Sequence, residues 1–171
     1  MKYNPFAIKD IVHLDETDMK ILKVLYQNAR APIKEISKKS RVQRDVVKYR
    51  IDKMLKNNVI RFFTPVLNPA TFGFPIFTWM NFIFQSFDAT EQSKFQKYLM
   101  MHENVAYISK VSGKYNYMIG IGARNLQHLD EIISSIIEKF SHLIKEYNTS
   151  SIINETKYDN MIGMVNQQIK I

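Results

Sequence analysis

The sequence predicts an α+β chain, an N-terminal winged helix-turn-helix followed by a ferredoxin-like βαββαβ domain. Three observations carry that expectation. Helix-period segments recur three times within residues 15–58, with the short link Ser40-Arg41-Val42 before the third. Beyond Gly73-Phe74-Pro75, strand-period and helix-period segments alternate in the order β-α-β-β-α-β. Charge divides at the same place. Residues 1–75 hold 15 Lys/Arg against 7 Asp/Glu, a net +8, while residues 76–171 hold 9 of each.

Leu14-Asp15-Glu16-Thr17-Asp18 reads as a helix start. Asp15 can cap, Asp18 stands at the third helical position near the positive end of the dipole, and Leu14 can staple onto Met19. Ile21, Leu22, Leu25 and Ala29 continue at helical spacing. Pro32 suits the first turn of a second short helix over PIKEISKKS. A third begins near Gln43 and ends at Asn57-Asn58, where asparagine tolerates the left-handed conformation. Val59 to Leu67 alternates weakly and predicts a wing strand.

IFTWMNFIFQSF (76–87) reads as a long strand, apolar on both faces. Thr90 is the expected cap of a helix running to His102-Glu103 with Phe95, Tyr98, Leu99 and His102 on one side. Val105–Ser112 and Tyr115–Ala123 read as strands joined by a two-residue turn at Gly113-Lys114. Asn125 caps a helix carrying Leu126, Leu129, Ile133, Ile136, Ile137 and Phe140, and Tyr147–Glu155 supplies the last strand. With both helices on one sheet face, the other face is left apolar. Such a face on an otherwise soluble domain marks an association surface, so sheet-to-sheet dimerisation is expected. Gly120 and Gly122 share that face with Met118. They admit either a close approach of another backbone or ligand, or merely bulky neighbours.

Residues 34–61 carry 10 of the basic side chains and 3 acidic ones. Val47, Ile51 and Met54 fall on one face of the third helix, so they pin it to the first two. Gln43, Arg44 and Lys48 then lie outward on its first half. Arginine reads guanine and glutamine reads adenine through paired hydrogen bonds, which suits both residues, with Lys48, to base edges in a major groove. Lys38, Lys39, Arg41, Lys53 and Arg61 are better placed for phosphates, which position a protein without reading sequence.

LDETDMKILKVLYQNAR, the helix-turn-helix with Arg50 in its third helix, and NNVIRFFTPVLNPATFGF together resemble the Lrp/AsnC (feast–famine) transcriptional regulators. VSGKYNYMIGI (111–121) is similar to the hairpin of that family's C-terminal effector domain. The resemblance spans roughly residues 14 to 155 in unbroken order. It implies a homodimer, often assembled to an octamer, on pseudo-palindromic double-stranded promoter DNA. It also implies an amino-acid-like effector at Ser112, Gly113, Lys114, Tyr115 and Asn116. Two departures stand out. Arg41 and Gln43 occupy turn positions where the family usually has glycine and serine. Lys114 and Asn116 replace the aspartates of Gly-Asp-Tyr-Asp, so neither can hold an ammonium group, which points to an altered or absent effector response.

The expected organisation is residues 1–60 as the DNA-binding domain, 61–75 as a strand and hinge, 76–158 as the effector and oligomerisation (RAM) domain, and 159–171 as a tail. No cysteine occurs, which excludes disulfides, thiol nucleophiles and thiolate metal sites. No apolar run approaches the roughly 18 residues of a spanning helix, and the first residues lack a signal-like core, so a cytoplasmic protein without membrane partners is expected. No catalytic residue, metal site or cofactor is expected either. A tetrapyrrole decarboxylase of the same architecture would favour His or Arg near the hairpin, and His13, His102, His128 and His142 all lie outside those strands. A ligand-sensing module without DNA binding leaves the ten cations around the third helix unexplained.

Overall fold

The computed structural model describes residues 11–157, which fall into two compact units parting between Pro65 and Val66. The expectation for the tail 159–171 lies outside the described residues.

The first unit holds three helices, α1 (Glu16–Gln27), α2 (Ile33–Ser40) and α3 (Arg44–Lys56). Asp15 starts α1 as a full capping box: its carboxylate accepts from the Asp18 N–H at 2.9 Å, and the Asp18 carboxylate accepts from the Asp15 N–H at 3.2 Å. Gln27 ends the helix, so Ala29 lies past it. Pro32, extended at the N-cap of α2, needs no N–H there. Ile21, Val24, Leu25, Ile36, Val47, Ile51 and Met54 form one buried cluster. Each such side chain withdrawn from water contributes about 1.5–3 kcal/mol. Asn58 adopts the left-handed conformation (φ 57°), and the N–H groups of Val59 and Ile60 both return to the Met54 carbonyl at 2.9 and 3.1 Å. The wing strand expected over Val59–Leu67 does not form; residues 61–67 are exposed and irregular. A strand exists only by pairing, and this unit offers no second strand among the described residues.

In the second unit a 3-10 turn, Pro69–Phe72, closes on Gly73 (φ 95°). There follow β1 (Ile76–Phe84), α4 (Ala89–Met101), β2 (Val105–Lys110), β3 (Tyr117–Ala123), α5 (Leu126–Lys139) and β4 (Ile144–Ser151). The sheet order is β2-β3-β1-β4 with antiparallel neighbours throughout, the ferredoxin-like arrangement. Met80, Phe82 and Phe84 of β1 and Ile119 and Ile121 of β3 face α4 and α5. Phe95 of α4 sits at the centre, with its ring centroid 5.1–5.7 Å from those of Phe82, Phe84, Tyr117 and Phe140.

Several boundaries differ from the sequence reading. The cap of α4 is Asp88 and not Thr90: one Asp88 oxygen accepts from the N–H groups of Thr90 and Glu91 at 2.7 and 3.1 Å. β1 stops at Phe84 because Gln85 turns to tie its side-chain amide to the carbonyls of Ser141 and His142. β4 starts at Ile144, three residues early, since Leu143 and Ile144 are drawn into the core, and it ends at Ser151. Leu126 keeps the helical period of α5 but stands 72% exposed at its first position.

The opposite sheet face carries an apolar patch rather than a wholly apolar surface: Asn81, Ser109 and the outward residues of β4, Glu146, Asn148 and Ser150, are polar. Trp79 meets Phe77 and Tyr107 edge-on at 5.3 and 5.4 Å, and alternation adds Ile83 and Met118 to the same side. A Cβ on Gly120 would come within 2.5 Å of the Phe77 ring, so this glycine makes room for the aromatic neighbours. Gly122 has open space around its Cβ position.

Candidate nucleic-acid interface

Burial of Val47, Ile51 and Met54 fixes the rotation of α3 about its axis and thereby decides what it presents outward. Gln43, Arg44 and Lys48 are all exposed, Arg44 and Lys48 one turn apart on the same flank. Gln43 occupies the N-cap yet makes no capping hydrogen bond, so its carboxamide is not committed to the helix start. The structure thus brings the three expected base readers together at the first turns of α3. Lys38, Lys39, Arg41, Lys53 and Arg61 are exposed around them. Lys39 is engaged by Glu35, Nζ to Oε1 at 2.7 Å, and Arg61 rests over the Phe62 ring at 5.2 Å. Both would have to exchange these contacts for a phosphate.

Arg41 is held at φ 57°, ψ 37°, the left-handed position that ends α2. The turn is knit by Val42 N–H donating to the Ser37 carbonyl at 3.2 Å and by the Ser37 hydroxyl donating to the Val42 carbonyl at 2.6 Å. A residue with a Cβ is strained in this conformation by about 1–2 kcal/mol, which explains why glycine suits it.

The spacing did not show Arg50 to be structural. Its Nη1 lies 2.5 Å from Asp15 Oδ2 and 3.2 Å from both Asp18 oxygens, joining α3 to the capping box of α1. The Asp15 carboxyl is held below its usual value, first by the Asp18 N–H and then, against the cost of burial, by Arg50. Arg50 is in turn raised above its usual value by Asp15. The available signal was its position beside Val47, Ile51 and Met54, where a solvated cation is out of place. Asp45, Tyr49 and Asp52 also stand exposed on α3.

In the second unit, Ser112, Gly113, Lys114, Tyr115 and Asn116 form the tip of the β2–β3 hairpin. The two-residue turn expected there is longer. The ladder ends at Lys110 opposite Tyr117, Val111 N–H donates to the Asn116 carbonyl at 3.1 Å, and residues 112–115 make the turn with Gly113 at φ 120°. Asn116 causes this. Its N–H donates to the Phe82 carbonyl and its side-chain oxygen accepts from the Phe84 N–H, both at 2.8 Å, so it ties the hairpin to β1. Its amide NH2 stays available to a ligand. Lys114 extends over the Tyr115 ring at 5.4 Å.

The geometry is matched by known proteins. Residues 14–61 fit the model of a winged helix-turn-helix DNA-binding domain, and residues 82–162 that of the Lrp/AsnC ligand-binding domain. The chain belongs to the Lrp/AsnC family of DNA-binding transcriptional regulators. The HTH-type transcriptional regulator FL11 of Pyrococcus abyssi is 29% identical over 125 residues, covering 73% of this chain and 81% of that protein. LrpB of Bacillus subtilis is 24% identical over 152 residues, 84% of this chain and 100% of its own. Among solved structures, E. coli AsnC aligns with a TM-score of 0.76 at 20% identity over 87% of this chain and 98% of that one. A Neisseria meningitidis regulator in complex with L-Met gives 0.78 at 17% identity, covering 86% and 94%. Among the described residues of this Lrp/AsnC chain, no helix is long and apolar enough to cross a membrane.

Proposed function

We propose that this Lrp/AsnC chain reads pseudo-palindromic double-stranded DNA as a homodimer or higher oligomer, with Gln43, Arg44 and Lys48 of α3 against base edges in the major groove. Lys38, Lys39, Arg41, Lys53 and Arg61 hold phosphates. The supporting observation is the rotation of α3, whose apolar residues are buried while its leading cations and Gln43 stay exposed. In a dimer the two recognition helices lie about 34 Å apart, one turn of DNA. The second unit pairs through its aromatic sheet face, and an effector at residues 112–116 meets Lys114 where the family's carboxylates would stand. That effector is therefore an acidic or amide compound rather than one held by its ammonium group, if the hairpin retains a ligand at all.

Binding followed across salt concentrations tests the reading. With about 6–10 phosphates neutralised per dimer, affinity should fall by about 10³–10⁵ between 50 and 200 mM salt. A flat response removes phosphate-driven binding. Arg44→Ala and Lys48→Ala should relax sequence preference at individual positions, each by about 1–3 kcal/mol, whereas Lys53→Ala should weaken every sequence alike. An unchanged footprint in both of the first two variants would displace α3 from the groove.

Arg41 separates the two demands on the turn. Arg41→Gly should raise melting stability by about 0.5–1 kcal/mol, the relief of left-handed strain less the entropy of a glycine in the unfolded chain. The same change should weaken DNA binding without altering the sequence preferred. Calorimetry and gel-shift titration read the two effects separately.

A further inference from the structure

The line of α3 that faces directly away from its buried residues carries two carboxylates. Asp45, Tyr49 and Asp52 follow at helical spacing on the side opposite Val47, Ile51 and Met54, and all three are exposed. Lys48 stands three residues from Asp45 and four from Asp52, and Lys56 four residues beyond Asp52, yet neither carboxylate forms an ion pair among the described residues. A helix built only to grip phosphates would gain nothing from two carboxylates on its outermost line, since each repels the DNA backbone. A carboxylate in the first turn does suit the positive end of a helix, which is the structural role the test must separate.

Resting on the reading of α3 as the DNA-reading helix, we infer that Asp45 is a base reader that selects cytosine. An ionised carboxylate only accepts hydrogen bonds. In the major groove guanine presents N7 and O6, and thymine presents O4, all acceptors that repel it. Adenine offers its amino group beside the N7 acceptor, while cytosine offers an amino donor with no acceptor next to it. A carboxylate left unpaired at the N-terminal end of α3, where the helix meets base edges, therefore favours cytosine and excludes guanine and thymine. Gln43 and Arg44 beside it supply the complementary preferences for adenine and guanine. Asp52 is about 10 Å further along the helix, nearer the backbone, where it opposes all sequences equally.

Selection of sites from random duplex DNA by the full chain tests this, using the wild type, D45N, D45A and D52N, with melting curves alongside. The wild type should enrich one cytosine per half-site by about tenfold. D45A should lose that preference. D45N, nearly the same in shape, should shift it to adenine, which a carboxamide pairs through N6 and N7. D52N should keep the wild-type sequence and bind it more tightly. A purely structural role for Asp45 would move the melting temperature and leave the selected bases alone, so D45N and D45A both returning wild-type sites would overturn the inference. A sequence shift in D52N in place of the Asp45 variants would overturn it as well. Failure of the wild type to enrich any sequence would instead overturn the DNA-reading role of α3, and this inference with it.

Discussion

Arg50→Ala should destabilise the helix-turn-helix unit by about 2 kcal/mol, the largest loss expected from any single cation among the described residues. One guanidinium nitrogen bridges two carboxylates, and the Asp18 side chain is only 7% exposed. Removing the cation leaves that carboxylate beside Asp15 with no counter-charge, which costs more than the hydrogen bonds alone. The partial exposure of Arg50 and Asp15 keeps the figure below that of a fully buried pair. Because a single nitrogen makes every contact, Arg50→Lys should retain much of the stability, unlike at a site that uses the whole guanidinium fork. Asp18→Asn in the Arg50→Ala background should recover part of the loss. Urea denaturation followed by circular dichroism measures these changes. Fluorescence of Trp79, the chain's single tryptophan, reports the second unit and should shift less.

Acid sensitivity gives an independent reading of the same contact. The Asp15 carboxyl is depressed in the folded state, so its contribution is complete above the usual carboxylate range. It is lost as pH falls through the lowered folded value. In Arg50→Ala the share due to the guanidinium disappears while that of the Asp18 N–H remains. The variant should therefore lose less stability than the wild type on acidification, from a lower starting point. An equal acid loss in both proteins would mean that Arg50 does not hold Asp15 in solution.

The contrast between Arg50 and Arg44 shows what the sequence could reveal. Local rules place elements: the Asp15 capping box, the Asn125 cap and the left-handed Asn58 are each written within four residues and appear in the structure. The burial of Val47, Ile51 and Met54 follows from spacing alone, and so does the exposure of Arg44. Arg50, by contrast, finds its partners 32 and 35 residues away in α1, and no local pattern encodes that meeting. The same limit explains the hairpin, where Asn116 is drawn to Phe84 across 32 residues and lengthens the turn. It explains the wing as well: Val59–Leu67 has strand character, but pairing is a property of two segments, and only one was legible.

Met118→Lys should convert the assembly to monomers at concentrations where the wild type is associated, by way of the sheet face. Met118 lies on β3 between Asn81 of β1 and Ser109 of β2, beside the aromatic group of Phe77, Trp79 and Tyr107. In a two-fold interface the same patch meets itself, so a single substitution places two ammonium groups in the contact. Desolvating each without a partner costs several kcal/mol, and about 4 kcal/mol corresponds to about a thousandfold weaker association. The side chain is half-buried on the face away from the core, so the second unit itself should fold normally. Light scattering should read the monomer mass while circular dichroism stays unchanged. DNA affinity should fall in parallel, because two recognition helices no longer reach adjacent half-sites as one body. Lys97→Glu, a charge change on the exposed side of α4, should leave the assembly intact. If Met118→Lys remains associated at the wild-type mass, the subunits meet through some other surface, and the apolar face needs a different occupant.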